Sequence, residues 1–192
     1  MPSQGPNSPA TLADDTSFGG FSWTNPGNAS SSNNSYAESA VSGFPSETDT
    51  FYLKATDFGF SIPGGATIDG ILVEIEKSES TAADDVIDRR VRIVKGGTIG
   101  STDKADATEW PTTDAYTSYG GAADLWGETW TPADINASNF GTVIAAGCAS
   151  TGPGIPLIDH IRITVTYTAG ADVAKQKAIV VAAAQHSSWT DE

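Results

Sequence analysis

Apolar and polar residues alternate one by one in four separate stretches of the chain. Phe51, Leu53 and Ala55 alternate with Tyr52 and Lys54. In GILVEIEKS, Ile71, Val73 and Ile75 share one face, and Glu74 and Glu76 the other. In RRVRIVKG, Val91 and Ile93 oppose Arg90 and Arg92. In DHIRITVTYT, Ile161, Ile163, Val165 and Tyr167 oppose Arg162, Thr164, Thr166 and Thr168. A period of two rich in β-branched residues marks half-buried antiparallel strands. The runs are separated by IPGGATIDG, KGGTIGSTD, SYGGAAD and STGPGIP, which carry turn residues. Short strands, frequent turns and no long helical period predict an all-β fold, an antiparallel jelly-roll-like β-sandwich. Ile71, Val73, Ile75, Val91, Ile93, Ile161, Ile163 and Val165 are its expected core.

One pairing follows from charge. If 71–77 runs antiparallel to 89–95, Glu74 faces Arg92 and Glu76 faces Arg90 in a single register, and the apolar faces coincide.

The stretch LWGETWTPADINASNF predicts one short helical turn. Thr131 can cap, Pro132 suits the first helical position, and Asp134 can reach back to complete a capping box. The strand FGTVIAAG follows. Trp126 and Trp130 share a face of the preceding segment. They fit a core beneath the helical turn, or a platform for a sugar.

Outside the patterned region, residues 1–35 form an extended arm rich in Ser, Asn and Gly. Phe18, Phe21 and Trp23 are its candidate anchors, on this domain or on a neighbouring chain. Residues 36–168 are assigned to the sandwich and 169–192 to a C-terminal tail. KAIVVAAAQ within the tail suits a strand or a helix. Ile179, Val180, Val181 and Trp189 are candidate partner contacts if the tail clasps a neighbouring subunit or a capsid protein. The alternative is that it folds back on its own domain.

Composition narrows the function. With 192 residues the chain suits a single domain. A net charge of −14 repels phosphate backbones, which excludes nucleic acid as a direct partner. Cys148 is the single cysteine, so neither an intrachain disulfide nor a cysteine-based zinc site can form within the chain. MPSQGPNSPATLADD lacks a basic region followed by an apolar run, so no secretory leader is expected. AIVVAAA is too short to span a bilayer. The expectation is synthesis in a cytoplasm and no membrane partner.

Catalytic signatures are sparse. The two histidines are His160 and His186. No GxSxG, HExxH, GxGxxG or P-loop pattern occurs. His160, beside Asp159 at the start of a strand, reads as an edge position next to a turn. No enzyme activity and no cofactor are expected. Calcium has two candidate acidic runs, Asp84, Asp85 and Asp88, and Asp103, Asp106 and Glu109, neither matching an EF-hand loop. The alternative for both is a solvated acidic loop. WPTTDAYTSYGG is polar and rich in aromatics, and Trp110, Tyr116, Tyr119 and Trp126 are candidate glycan contacts for a carbohydrate-binding or adhesion module.

FYLKATDFGFSIPGGATIDGILVEIEKS, LWGETWTPADINASNFGTVIAAG and DHIRITVTYT together resemble a module that recurs in proteins of tailed bacteriophages and prophages. The resemblance covers roughly residues 28–168 and carries no catalytic motif. It implies a jelly-roll-like sandwich on a virion. The expected function is that of a non-enzymatic structural protein, most naturally a capsid decoration or cement protein, or a small collar or tail component. Its expected partners are other virion proteins and further copies of itself, and its expected location is the virion, after synthesis in the host cytoplasm.

Overall fold

The computed structural model describes residues 1–39, 49–81, 85–149 and 154–170. These build two antiparallel sheets packed face to face. The strands are β1 (Ser3–Asn7), β2 (Thr11–Asp15), β3 (Ala37–Glu38), β4 (Tyr52–Thr56), β5 (Thr67–Glu79), β6 (Val86–Lys95), β7 (Thr98–Ile99), β8 (Ala115–Gly121), β9 (Gly141–Cys148) and β10 (Pro156–Thr168). The first sheet runs β1-β10-β5-β8, with β3 also on β10, and the second runs β2-β4-β9-β6-β7. The pairing is nested: β5 and β10 pair in one sheet, while β6 and β9, which lie between them in the chain, pair in the other. That wrap gives the sandwich its jelly-roll-like character.

Alternation places the core as expected. Ile71, Val73 and Ile75 of β5 and Ile161, Ile163 and Val165 of β10 point inward, against Leu53, Val91, Ile93 and Ile144 of the facing sheet. All ten are fully buried. Close packing of β-branched side chains between two pleated layers is what an inner face of this period produces.

The register of 71–77 differs from the expected one. β5 and β6 lie in opposite sheets, so Glu74 and Arg92 are never neighbours. Glu74 pairs with Arg162 of β10 through two hydrogen bonds of 3.0 Å. Arg90 and Arg92 instead both reach Asp103. Charge complementarity is satisfied equally by either arginine strand. What the two apolar faces share is the core, which they close from opposite sides.

The N-terminal segment is also not an arm lying outside the fold. β1 lines the edge of β10 and β2 lines the edge of β4, so residues 1–35 contribute an edge strand to each sheet. Neither SQGPN nor TLADD carries an apolar stripe. An edge strand is held chiefly by its backbone hydrogen bonds, so composition did not reveal them. Trp23 is buried in the main core and donates its Nε1–H to the Phe51 carbonyl at 2.8 Å. Phe21 is half-buried, and its carbonyl accepts the Phe51 amide. Phe18 packs on Tyr52 across the outer face of the second sheet, under the Arg90 guanidinium. These three anchors hold the segment to its own domain. Ile179, Val180, Val181 and Trp189 lie outside the described residues.

The corner between β8 and β9 settles the two tryptophans. The helical turn α1 (Pro132–Asn136) has the expected capping box: the Asp134 amide donates to the Thr131 hydroxyl, and the Thr131 amide to the Asp134 carboxylate. Thr131 also holds the Asp134 carboxyl below its ordinary range. Trp126 is 1% exposed and donates its indole N–H to the Ile71 carbonyl at 3.0 Å. Trp130 is half-buried, edge-on to Phe140 at 5.4 Å between ring centres. Phe140 in turn meets Phe58 and Phe60, so the corner is an aromatic plug over one end of the sandwich.

Candidate functional site

The aromatic loop residues do not form a shelf. Trp110 and Tyr119 are buried, as is Trp126. Of the four candidate glycan contacts, Tyr116 alone stays partly open to solvent. Trp110 and Tyr119 turn inward because their hydroxyl and indole N–H groups find a buried carboxylate, that of Asp88. Sequence polarity around WPTTDAYTSYGG concealed this, since the polar partner lies on another strand.

The outer face of the first sheet carries the most organised set of polar groups. Its rows follow from register. His160 of β10, Glu76 of β5 and Tyr116 of β8 lie side by side in one row. Arg162, Glu74 and Ser118 form the next. A bulge between Ile158 and His160 turns both Asp159 and His160 away from the interior while Ile158 and Ile161 stay in the core. The segment around residues 30–36 lies against this face, with Ser30 bridged to His160 and the Asn33 amide donating to the Asp159 carboxylate.

Several side chains here are fixed by a neighbour. The Arg162 guanidinium lies 3.8 Å from the centre of the Tyr116 ring while its two donors hold Glu74. That bidentate bond holds the guanidinium pKa above its usual value. Tyr36 donates to Asp114 at 2.8 Å, and the carboxylate pushes its phenol up to about 12. Ser78 donates to the other oxygen of Asp114 at 2.6 Å. Burial raises the Tyr116 phenol as well. Oε2 of Glu76 is buried with no hydrogen-bond partner among the described residues.

Sequence did not anticipate the setting of His160. Its Nε2 lies 2.8 Å from Ser8 Oγ and its Nδ1 lies 2.8 Å from Tyr116 Oη. Ser8 arrives with the N-terminal strand, so its approach depends on a pairing that composition hid. A serine on an imidazole invites comparison with a catalytic dyad. In such machinery a carboxylate on the far nitrogen stabilises the imidazolium. Here that partner is a phenol. Burial, reinforced by the Arg162 charge, holds His160 below its ordinary value. The arrangement favours a neutral, doubly hydrogen-bonded imidazole that buttresses the sheet face.

Of the acidic residues weighed for calcium, Asp84 lies outside the described residues, and three others are engaged elsewhere. Asp88 is buried under Trp110 and Tyr119, and Asp103 is shared by Arg90 and Arg92. Asp106 accepts from the amide and hydroxyl of Thr108. Among the described residues, no group of three or more His, Cys, Asp or Glu side chains is placed to hold a metal ion. No helix among them is long and apolar enough to cross a membrane.

No family model and no curated protein matches the chain. One solved structure similar to it is titled "CBM4 structure and function". It is 15% identical, spans 79% of this chain and 92% of its own, and superposes with a TM-score of 0.40.

Proposed function

We propose that the protein is a non-enzymatic structural module of a tailed-bacteriophage particle, a decoration or cement protein or a small collar or tail component. The observation that carries this reading is where the phage-like strings lie in the fold. FYLKATDFGFSIP supplies Leu53, Ala55, Phe58, Phe60 and Ile62, and LWGETWTPADINASNFG supplies Trp126, Ile135 and Phe140, all buried. DHIRITVTYT supplies Ile161, Ile163 and Val165. The strings therefore describe a packed frame and its capped corner, which suits a scaffold role. The doubly hydrogen-bonded His160 beside Ser8, with no carboxylate on its far nitrogen, fits a role without turnover. The test is to purify particles of the phage or prophage that encodes the chain and measure the protein against the major capsid protein.

A second reading, a carbohydrate-binding module, draws support from the outer face of the first sheet. Tyr116 and Tyr36 offer ring edges, while Arg162, Glu74 and Glu76 are prearranged hydrogen-bonding groups of the kind that orient hydroxyls. A glycan array followed by calorimetry tests it. Binding that Glu76→Gln and Tyr116→Ala each weaken at least tenfold supports this reading, and an array without a hit removes it.

A further inference from the structure

Two charged residues continue the apolar stripes into the core. On β5 the inward series Ile71, Val73, Ile75 is followed at the same spacing by Lys77, and on β6 inward Val86 is followed by Asp88. Their side chains are 4% and 0% exposed, and they meet between the two sheets with Lys77 Nζ 2.5 Å from Asp88 Oδ1. Tyr119 touches both groups: its Oη accepts from Nζ at 2.6 Å and donates to Asp88 Oδ2 at 2.7 Å. Trp110 donates its Nε1–H to Oδ1 at 2.8 Å, and the Asp106 amide donates to Oδ2 at 3.1 Å. The Trp110 ring covers Nζ at 4.7 Å. A gap of about 150 Å³, lined by Lys77, Asp106, Thr108, Trp110 and Thr117 among others, adjoins the pair.

We propose that Lys77 and Asp88 condense within the folded protein to an isopeptide bond joining the two sheets. An amine and a carboxyl held in contact, away from bulk water, have a very high effective concentration for amide formation. The surroundings supply the rest of the chemistry. One proton leaves the Lys77 ammonium through the Tyr119 hydroxyl to Oδ2, giving a neutral amine and a neutral acid. The nitrogen lone pair attacks Cγ, and the electron pair of the carbonyl moves onto Oδ1, where the Trp110 N–H holds the developing charge. The second proton passes from nitrogen by the same hydroxyl to Oδ2, which departs as water into the adjoining gap. The carbonyl re-forms at Oδ1. The balance is one ammonium and one carboxylate to one amide and one water, with no oxidant or cofactor. Burial pushes the Lys77 ammonium below the ordinary lysine range, which favours the free amine, although the Asp88 charge opposes this.

Intact mass spectrometry of the denatured full chain tests the bond. The expected result is a mass lower than that of the sequence by one water, with digestion giving a branched peptide that links the Lys77 and Asp88 segments. Lys77→Met and Asp88→Ala should each restore the sequence mass. Tyr119→Phe keeps both reacting groups and should leave freshly folded protein mostly unlinked. The proposal is overturned if folded wild-type protein, incubated for days, keeps its full sequence mass, since the pair is then an ion pair only. A water loss that maps to a linear, hydroxylamine-sensitive peptide overturns it equally, because it reports a succinimide.

Discussion

Phe140→Ala should open the aromatic corner that joins α1 to the sandwich. Phe140 is fully buried, and its ring meets Trp130, Phe60 and Phe58 at centroid distances of 5.4, 5.8 and 6.4 Å. Truncating a buried phenylalanine costs about 3–5 kcal/mol, a transfer term plus a cavity term. Paired rings contribute about 0.5–1.5 kcal/mol each beyond area. Three such contacts place this site near the upper end, at about 4–5 kcal/mol. For a chain of this length that lowers Tm by roughly 8–20 °C. Phe140→Leu keeps most of the volume and should cost about 1–2 kcal/mol. Urea unfolding followed by tryptophan fluorescence is the assay, since Trp130 reports on the same corner. The midpoint should fall while the slope stays constant. A loss below about 1 kcal/mol for Phe140→Ala would mean that the corner is not packed as described.

Three further outcomes follow from the same geometry. A double-mutant cycle on Glu74 and Arg162 should give a coupling of about 0.5–1 kcal/mol, and the cycle on Glu74 and Arg92 none; the reverse would restore the rejected register. Gly141→Ala should strongly destabilise, because the added Cβ would sit 1.9 Å from the Ala55 carbonyl oxygen where β4 pairs with β9; a variant with normal melting contradicts that pairing. The third concerns pH. His160 has a folded pKa below its unfolded value of 6.5, so the unfolded chain binds the proton more readily. Its penalty is absent above that value, sets in as pH falls through 6.5, and is complete below the folded pKa. The stability difference between wild type and His160→Gln should therefore shift against wild type between pH 7.5 and about 5, as read by parallel urea titrations. A difference independent of pH would show that His160 is not held neutral.

Much of the frame was legible in the chain because period-two alternation states which face a residue takes. Ile71, Val73, Val91, Ile93, Ile161 and Ile163 were placed in the core on that ground alone, and the Thr131–Asp134 cap on local chemistry. Alternation does not state which strand lies beside which. Glu74 found Arg162 because β5 and β10 share a sheet, a consequence of how the chain wraps. Edge strands such as Thr11–Asp15 bury little, so their hydrogen bonds leave no mark in composition. The outer face was hidden for a related reason: Ser8, Tyr36, Glu76, Tyr116 and His160 lie on five separate stretches of chain. Lys77 and Asp88 were hidden by their chemistry, since charged residues read as solvated until a partner across the core is known.

The proposed virion role is tested most directly by the composition of the particle. Gradient-purified particles, analysed by quantitative mass spectrometry with isotope-labelled peptides, should contain this chain in a fixed and reproducible ratio to the major capsid protein. That ratio should survive repeated banding. Particles that lack the chain, or carry it in traces that fall with each purification step, would contradict a structural role.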